Sequence, residues 1–455
     1  MRTFSIYTLG CKVNHYESAQ IRQFLENNGL SGAKAGERPD LCVINTCCVT
    51  ATASAKSRQY IQRATKSNPE GVKIVCGCLT AIQTDELRIP KDNATHIISN
   101  RAELASKIKQ IIDPQDKPGG FLLPLLTNFK EQTRAFLKIQ DGCDGTCSYC
   151  IIPKVRPDVQ NKPIEDVIFE AKNLVSAGHK EIVVTGVNLG SYGRESVRNA
   201  ECRTENAEHR TKNIGQKTED GRQIVDCRLS IVDLLEELAK IEGLLRLRVS
   251  SLEPGDISEE LLDVFCAHKN IMPHIHLSVQ SGSEKILRRM CRPYSAGELR
   301  EKIAMIKSRL DRPAITCDII VGFPGETEED FEETVELSKW AGFSKIHVFP
   351  FSARAGTAAA KMKEKIQPKV VKIRAEILRR LGDELALKFR EQFVGETVEV
   401  LLEDTEPMSG HCERYFLVQV TKDCRLPIVD CRFNKNQIVK VRITDNQNEG
   451  AEGQM

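Results

Sequence analysis

The chain has 455 residues and carries 65 Lys and Arg against 63 Asp and Glu, a formal net charge of +2. At roughly 100–200 residues per domain, this length predicts two to four domains. A hydrophobic fraction of 40% excludes a disordered chain, and the small net charge excludes nucleic-acid binding through overall charge alone. No apolar stretch reaches the ~18 residues of a membrane helix, and the start lacks a signal peptide's apolar region. We therefore expect a cytoplasmic protein with no membrane partner.

The cysteine content points to metal chemistry. Seventeen cysteines are too few for a disulfide scaffold in a chain of this size. In a reducing compartment, cysteines at short spacings are more often metal ligands.

Residues 1–115 alternate between strand and helix patterns. Buried parallel strands separated by helices predict an open α/β domain. Cys11, Cys47 and Cys78 each follow one of three successive predicted strands. Open α/β sheets place their ligand sites at this edge.

Residues 129–385 contain six strand-like runs with helical patterns between them. Such repeats predict an α/β fold built as a partial (β/α)6 barrel, with its chemistry at the carboxyl ends of the strands. The predicted strands begin at Phe136, Glu181, Leu244, His274, Ile315 and Lys345. Residues 194–228 interrupt the pattern with a polar, charged stretch, which we interpret as a mobile surface insertion.

The C-terminal part begins with a basic segment and continues with alternating strands. Residues 361–390 form a predicted helix with ten Lys and Arg against four Asp and Glu. After it, ETVEVLLE, RYFLVQV and NQIVKVRIT alternate apolar and polar residues, as half-buried strands do. This pattern predicts a small antiparallel β barrel over residues 386–446.

The most specific motif is DGCDGTCSYC, which places Cys143, Cys147 and Cys150 at Cys-x3-Cys-x2-Cys spacing just after the first predicted barrel strand. Three thiolates on one tight loop can bind three irons of a [4Fe–4S] cluster and leave the fourth iron for an external molecule. The alternative is a zinc loop. Zinc normally needs a fourth ligand at matching spacing, and none follows nearby.

The chain resembles the methylthiotransferase family of the radical S-adenosylmethionine superfamily over nearly its whole length. The resemblance is carried by LGCKVNHYES, INTCCVT, GCLT, QDGCDGTCSYCIIP, TGVNLGSYG, SSLEP, QSGSEKILRRM, DIIVGFPGETEEDF and FSARAGT. It implies that the barrel cluster binds S-adenosylmethionine, whose reductive cleavage yields a 5′-deoxyadenosyl radical. It also implies that Cys11, Cys47 and Cys78 hold a second [4Fe–4S] cluster, which carries the sulfur to be transferred. Cys48 or Cys76 is an alternative ligand.

Several motifs are candidates for contact with the cofactor. Glycines at strand ends permit close approach of a ligand, a helix N-terminus can receive a polar group, and two residues match superfamily positions that hydrogen-bond the cofactor. The predicted cofactor-binding residues are Thr185, Gly186, Asn188, Ser278, Gln280, Gly322 and Glu326.

One position departs from the family pattern. Pro157 stands after Arg156 where the family usually has glycine. Proline removes an amide donor and restricts the residue before it. This departure leaves open a non-catalytic iron–sulfur protein that binds RNA.

The resemblance also implies a substrate class. LGCKVN is most similar to the branch that adds a methylthio group to C2 of N6-threonylcarbamoyladenosine at position 37 of tRNA, next to the anticodon. Isopentenyladenosine in tRNA and a ribosomal-protein aspartate are the alternatives. The last barrel resembles a TRAM domain, an RNA-binding module, and splayed single-stranded bases are a common RNA target. We expect a monomer that uses an external electron donor and does not bind DNA.

Overall fold

The computed structural model describes residues 1–82, 94–115, 120–130, 132–194, 230–421, 433–447 and 450–454. The predicted insertion at residues 194–228 lies, apart from Arg194, outside the described residues. Within the described chain, no helix is both long and apolar enough to cross a membrane.

The N-terminal part is a five-stranded parallel sheet with strand order β2-β1-β3-β4-β5. Its central strand β3 is buried at every residue, since LCVINT has apolar side chains on both faces. The strands are β1 (Thr3–Thr8), β2 (Ser31–Gly32), β3 (Leu41–Thr46), β4 (Val72–Gly77) and β5 (Thr95–Ile97). The helices are α1 (Lys12–Asn27), α2 (Ala51–Ser67) and α3 (Leu104–Ile112). The expected open α/β arrangement is confirmed.

The central part is a partial barrel of parallel strands, as predicted. One sheet has the order β10-β9-β6 and the other β11-β12-β13-β14, and a bridge between Leu247 and Ile271 helps to join them. The strands are β6 (Ala135–Lys138), β9 (Glu181–Thr185), β10 (Arg246–Val249), β11 (Ser251–Leu252), β12 (His274–Gln280), β13 (Ala314–Val321) and β14 (Lys345–Pro350). A short antiparallel pair of β7 (Gln140–Asp141) and β8 (Gln160–Asn161) flanks the loop that contains Cys143, Cys147 and Cys150.

The described residues of the central part also contain α-helices. They are α4 (Ile152–Val155), α5 (Ile164–Ser176), α6 (Ile231–Ala239), α7 (Glu259–Ala267), α8 (Glu284–Arg289), α9 (Ala296–Arg309), α10 (Glu328–Ala341) and α11 (Pro368–Glu391). The capping box of Thr327 and Asp330 begins α10. The predicted basic helix is α11. It begins at Pro368 and runs past the expected boundary at residue 385.

The C-terminal part is a closed barrel with strand order β15-β16-β17-β19-β18. Its strands are β15 (Thr397–Thr405), β16 (Met408–Cys412), β17 (Leu417–Thr421), β18 (Ile438–Gln447) and β19 (Gly450–Gln454). Two details of the prediction need correction. The β17–β19 pair is parallel, and the barrel extends beyond residue 446 because β19 closes it. The sequence of β19, GAEGQ, has no alternation that would mark a strand.

Buried arginines fix the C-terminal barrel to the central one. Arg246 donates hydrogen bonds to the carbonyls of His411 and Glu399. Arg248 donates to the carbonyl of Cys412 at 2.7 Å and pairs with the Glu181 carboxylate at 2.7 Å. Both arginines are 1% exposed, so this contact is buried.

Candidate functional site

The three N-terminal cysteines meet at the carboxyl edge of the first sheet. Cys11 caps α1, Cys47 follows β3 and Cys78 follows β4. Burial raises the pKa of the Cys47 thiol to about 11, and the nearby Cys78 and Cys11 thiols contribute to the rise. The structure thus brings together the three thiols that the sequence predicted as one site.

Two glycines allow these cysteines to approach each other. Gly10 has a φ of 109°, and a Cβ there would lie 2.9 Å from the sulfur of Cys47. Gly77 has a φ of 93°, and a Cβ there would lie 2.4 Å from the carbonyl oxygen of Thr46. Larger residues at either position would collide and adopt a strained backbone. The glycines before Cys11 and Cys78 are therefore part of the site's construction.

The two alternative cysteines have different surroundings. Cys76 packs into the apolar core of the N-terminal part with Ile74 and Val43. Cys48 is hydrogen-bonded to Cys78, and this bond is the largest of several causes that lower the pKa of Cys78 to about 6. Cys48 thus stays beside the site, whereas Cys76 is a core residue.

The barrel cysteines lie on a short loop between β7 and α4. The amide of Gly145 donates to the sulfur of Cys143 at 3.3 Å, and the amide of Cys150 donates to the carbonyl of Cys147 at 3.1 Å. Burial raises the pKa of Cys150 to about 12, with the neighbouring Cys147 and Cys143 adding to it. These three thiols also form one group.

Arg156 connects the two cysteine groups. Its guanidinium makes a two-pronged pair with Glu17 of α1 at 2.8 and 2.9 Å and contacts Asp141 at 2.6 Å. Its Nε donates to the sulfur of Cys78 at 3.4 Å, while its carbonyl accepts from the amide of Cys143 at 3.0 Å. One buried residue therefore touches both loops.

Each cysteine group also accepts a hydrogen bond from an arginine other than Arg156. Arg101 donates to the sulfur of Cys78 at 3.3 Å. Arg292 donates to the sulfur of Cys147 at 3.0 Å and is held by Glu253 at 2.8 Å. Donors aimed at sulfur suit thiolates that ligate an iron–sulfur cluster. The donor set therefore fits two such clusters.

Sequence reasoning missed Arg101 and Arg292, and it treated Arg156 only as a departure from a pattern. Arg292 and Glu253 belong to different strand-to-helix segments, so no spacing relates them to Cys147. The one available signal was their position after predicted barrel strands, where chemistry collects.

Among the predicted cofactor residues, Thr185 and Gly186 lie near Cys11. Together with Cys11 and Ser250 they line a cavity of about 370 Å³. The amide of Asn188 donates to the side chain of Gln140 at 2.8 Å. This turn is thus fixed against the segment that leads to the Cys143 loop.

Ser278 and Gln280 lie at the carboxyl end of β12. The carbonyl of Ser278 accepts a hydrogen bond from Tyr294. Gln280 is 9% exposed and adopts a φ of 63°, a left-handed conformation that is uncommon for a non-glycine residue and often marks functional sites.

Gly322 and Glu326 are engaged elsewhere. The Glu326 carboxylate accepts from the amide of Gly322 at 2.8 Å and pairs with Arg374 of α11 at 2.7 Å. The structure therefore shows these two residues stabilising the turn before α10, and their carboxylate and amide are used within the protein.

Comparison with known proteins supports the same reading. Residues 137–338 match the Radical SAM superfamily, and residues 3–99 match the Uncharacterized protein family UPF0004. The chain is similar in fold to a radical S-adenosylmethionine methyltransferase, TsrM, from Kitasatospora setae, with a TM-score of 0.51 and 13% identity over 77% of this chain and 73% of that one.

Alignments with several curated relatives cover almost the whole of this chain and of each relative. The threonylcarbamoyladenosine tRNA methylthiotransferase MtaB of Bacillus subtilis is 36% identical over 97% of each chain, and that of Chlamydia pneumoniae is 34% identical over 100% of this chain and 98% of its own. The tRNA-2-methylthio-N(6)-dimethylallyladenosine synthase of Pelotomaculum thermopropionicum is 34% identical over 89% of this chain and 87% of its own. With two cysteine groups on an α/β domain and a partial barrel, the chain belongs to the radical S-adenosylmethionine methylthiotransferase family.

Proposed function

We propose that this enzyme adds a methylthio group to C2 of N6-threonylcarbamoyladenosine in the anticodon loop of tRNA. The observation that carries the proposal is the joining of two cysteine groups by Arg156, which contacts Cys78 and Cys143. Sulfur transfer and substrate activation need two metal sites that address one substrate atom. The relatives that carry the threonylcarbamoyladenosine name support the choice of substrate.

In this proposal, Cys11, Cys47 and Cys78 hold the sulfur-bearing [4Fe–4S] cluster, and Cys143, Cys147 and Cys150 hold the other cluster. S-adenosylmethionine supplies both the methyl group and the radical when it is bound. Thr185, Gly186, Asn188, Ser278 and Gln280 would contact it. Support for Gly322 and Glu326 is weaker, because their carboxylate and amide are already paired.

The RNA would be held by the C-terminal barrel, as a TRAM-like module, together with basic residues of α11. Lys369, Lys372 and Arg380 are exposed on that helix, and phosphate contacts supply much of the affinity for RNA. The enzyme would act as a cytoplasmic monomer with an external electron donor and no affinity for DNA.

The alternative of a non-catalytic iron–sulfur protein rests on Pro157. Pro157 is exposed, and Arg156 before it has φ −140° and ψ 65°, outside the helical region that a following proline disfavours. The guanidinium of Arg156 keeps its contacts with Glu17 and Asp141. Nothing in this arrangement favours loss of turnover, so the enzyme is the better proposal.

The test uses reconstituted protein, S-adenosylmethionine, a chemical reductant and two tRNA substrates, one with N6-threonylcarbamoyladenosine and one with N6-dimethylallyladenosine. Nucleosides are then analysed by mass spectrometry. We expect the 2-methylthio product from the threonylcarbamoylated tRNA alone. Product from the dimethylallyl tRNA alone would overturn the substrate, and product from neither would favour the non-catalytic alternative.

A further inference from the structure

The lumen of the partial barrel holds a large polar cavity. Its volume is about 930 Å³, and strands β10, β12, β13 and β14, helix α11 and the C-terminal barrel form its walls. Its basic lining residues are Lys12, Arg134, Arg248, Lys345, Arg390 and Arg414, against the carboxylates of Asp318 and Asp383. The excess of basic groups favours an anionic occupant.

The arginines of this lining are already engaged. Arg134 pairs with Glu403 and Arg248 with Glu181, Arg390 donates to Asn446, and Arg414 pairs with Glu413. Two lysines remain that have no hydrogen bond or ion pair with any residue the structure describes: Lys12, which is half-buried, and Lys345, which is exposed.

Lys12 stands where a cation is costly. It is the first residue of α1, whose first turn carries no acidic residue, and a positive charge is unfavourable at a helix N-terminus. After burial, the charge of Lys12 is among the causes that lower the pKa of His347 on β14. Lys12 lines the lumen cavity, and local stability does not explain a positive charge at this position.

Lys12 also stands beside the proposed sulfur site. The 370 Å³ cavity lined by Cys11, Thr185 and Gly186 shares Lys12 and Ser250 with the lumen cavity. In adenine, C2 and C6 both flank N1, so a substituent on N6 lies on the same edge as C2. A substrate whose C2 reaches the region of Cys11 therefore brings its N6 substituent to Lys12.

We propose that Lys12 determines substrate specificity by binding the carboxylate of the N6-threonylcarbamoyl group. This inference rests on the proposed function. The carboxylate would pair with the ammonium group of Lys12, whereas a dimethylallyl group would leave that ammonium group unpaired. Asp318 lies 3.3 Å from Nε2 of His276 and has no ion pair with Lys12 among the described residues.

The test measures binding of anticodon stem-loop RNA to the cluster-loaded protein at one fixed salt concentration. The probes carry either N6-threonylcarbamoyladenosine or its methyl ester, which removes the carboxylate charge and adds one methyl group. We expect wild-type protein to bind the acid about tenfold more tightly than the ester, since a hydrogen bond to a charged group contributes about that much. Equal affinities would overturn the inference without reference to any variant.

Variants then assign the preference to Lys12. Lys12→Met is expected to remove the tenfold preference and Lys12→Arg to keep it, with iron content unchanged in both. Lys339→Met, which removes an exposed lysine of α10 paired with Glu336, is the control for net charge and should keep the preference. A preference that survives in Lys12→Met overturns the inference, whereas the identity of the methylthiolated nucleoside tests the proposed function separately.

Discussion

At the scale of single residues, Arg156 makes contacts that no sequence motif indicates. Its side chain is 2% exposed and lies between the carboxylates of Glu17 and Asp141. Burial alone would raise the pKa of Asp141, yet Lys138 and Arg156 hold it well below its usual range. These charged side chains therefore form an ion network that stays charged. The network links α1 to β7, the strand before the Cys143 loop.

Replacing Arg156 by Met should destabilise the protein markedly. Removal of one partner from a buried ion pair typically costs about 3–5 kcal/mol, and Lys138 would compensate only part of the charge on Glu17. We expect the unfolding midpoint, measured anaerobically by circular dichroism, to fall by roughly 5 °C or more. The control is Lys130→Met, which breaks the ion pair of Lys130 with Glu26, a residue of α1 like Glu17. If the unfolding midpoints of both variants equal that of the wild type, Arg156 does not join the N-terminal part to the central part.

At the scale of elements, the C-terminal barrel is held to the central one by side chains that reach backbone carbonyls. Arg248 donates to the carbonyls of Cys412 and Glu413 and pairs with Glu181. Tyr415, with a φ of 66°, stacks on His274 at a ring distance of 4.4 Å. Contacts of this kind fix an orientation as well as an affinity.

Arg248→Met should loosen this docking. Glu181 is completely buried and would keep only the longer contact to Arg246, at 3.6 Å. We expect a protease to cleave the segment between α11 and β15 much faster than in wild type. Arg380→Met, which removes an exposed i,i+4 pair with Glu376, should show the wild-type rate. Unchanged cleavage in Arg248→Met would mean that the docking does not depend on this arginine.

Elements differed in how well the sequence predicted them. Strands β9 and β13 are mostly apolar runs that are buried at nearly every residue, and such runs are recognisable without a structure. Strand β19 is not, because Ala451 is its only apolar residue and one of its pairing partners, β17, is separated from it along the chain by β18. The parallel pairing of β17 with β19 results from closure of the C-terminal barrel, and local sequence patterns do not encode it.

At the scale of the whole molecule, the cysteine groups were predictable and their connection was not. Cys143, Cys147 and Cys150 have a short spacing, and Cys11, Cys47 and Cys78 follow strands whose ends must meet. Arg156, Arg101 and Arg292 become part of the site only through folding, since the cysteine sulfurs to which they donate are 23 to 145 residues away along the chain. For Gly322 and Glu326, in contrast, the sequence motif resembles a ligand loop, but in the folded chain the Glu326 carboxylate pairs with α11.

The two cysteine groups should perform separable tasks. Cys47→Ala is expected to keep formation of 5′-deoxyadenosine from S-adenosylmethionine and to abolish the methylthiolated nucleoside. Cys47→Ser should fail in the same way, because a thiolate is required. Cys48→Ala is the control and should retain product. Product from Cys47→Ala with none from Cys48→Ala would instead assign the ligand to Cys48, which already contacts Cys78.

The most direct test of the two-cluster arrangement is the iron content of three reconstituted proteins. Two [4Fe–4S] clusters give about eight irons per chain in the wild type. Replacing Cys143, Cys147 and Cys150 together by Ala should leave about four, and replacing Cys11, Cys47 and Cys78 together should also leave about four. Eight irons retained in either triple variant, or four in the wild type, would contradict the account.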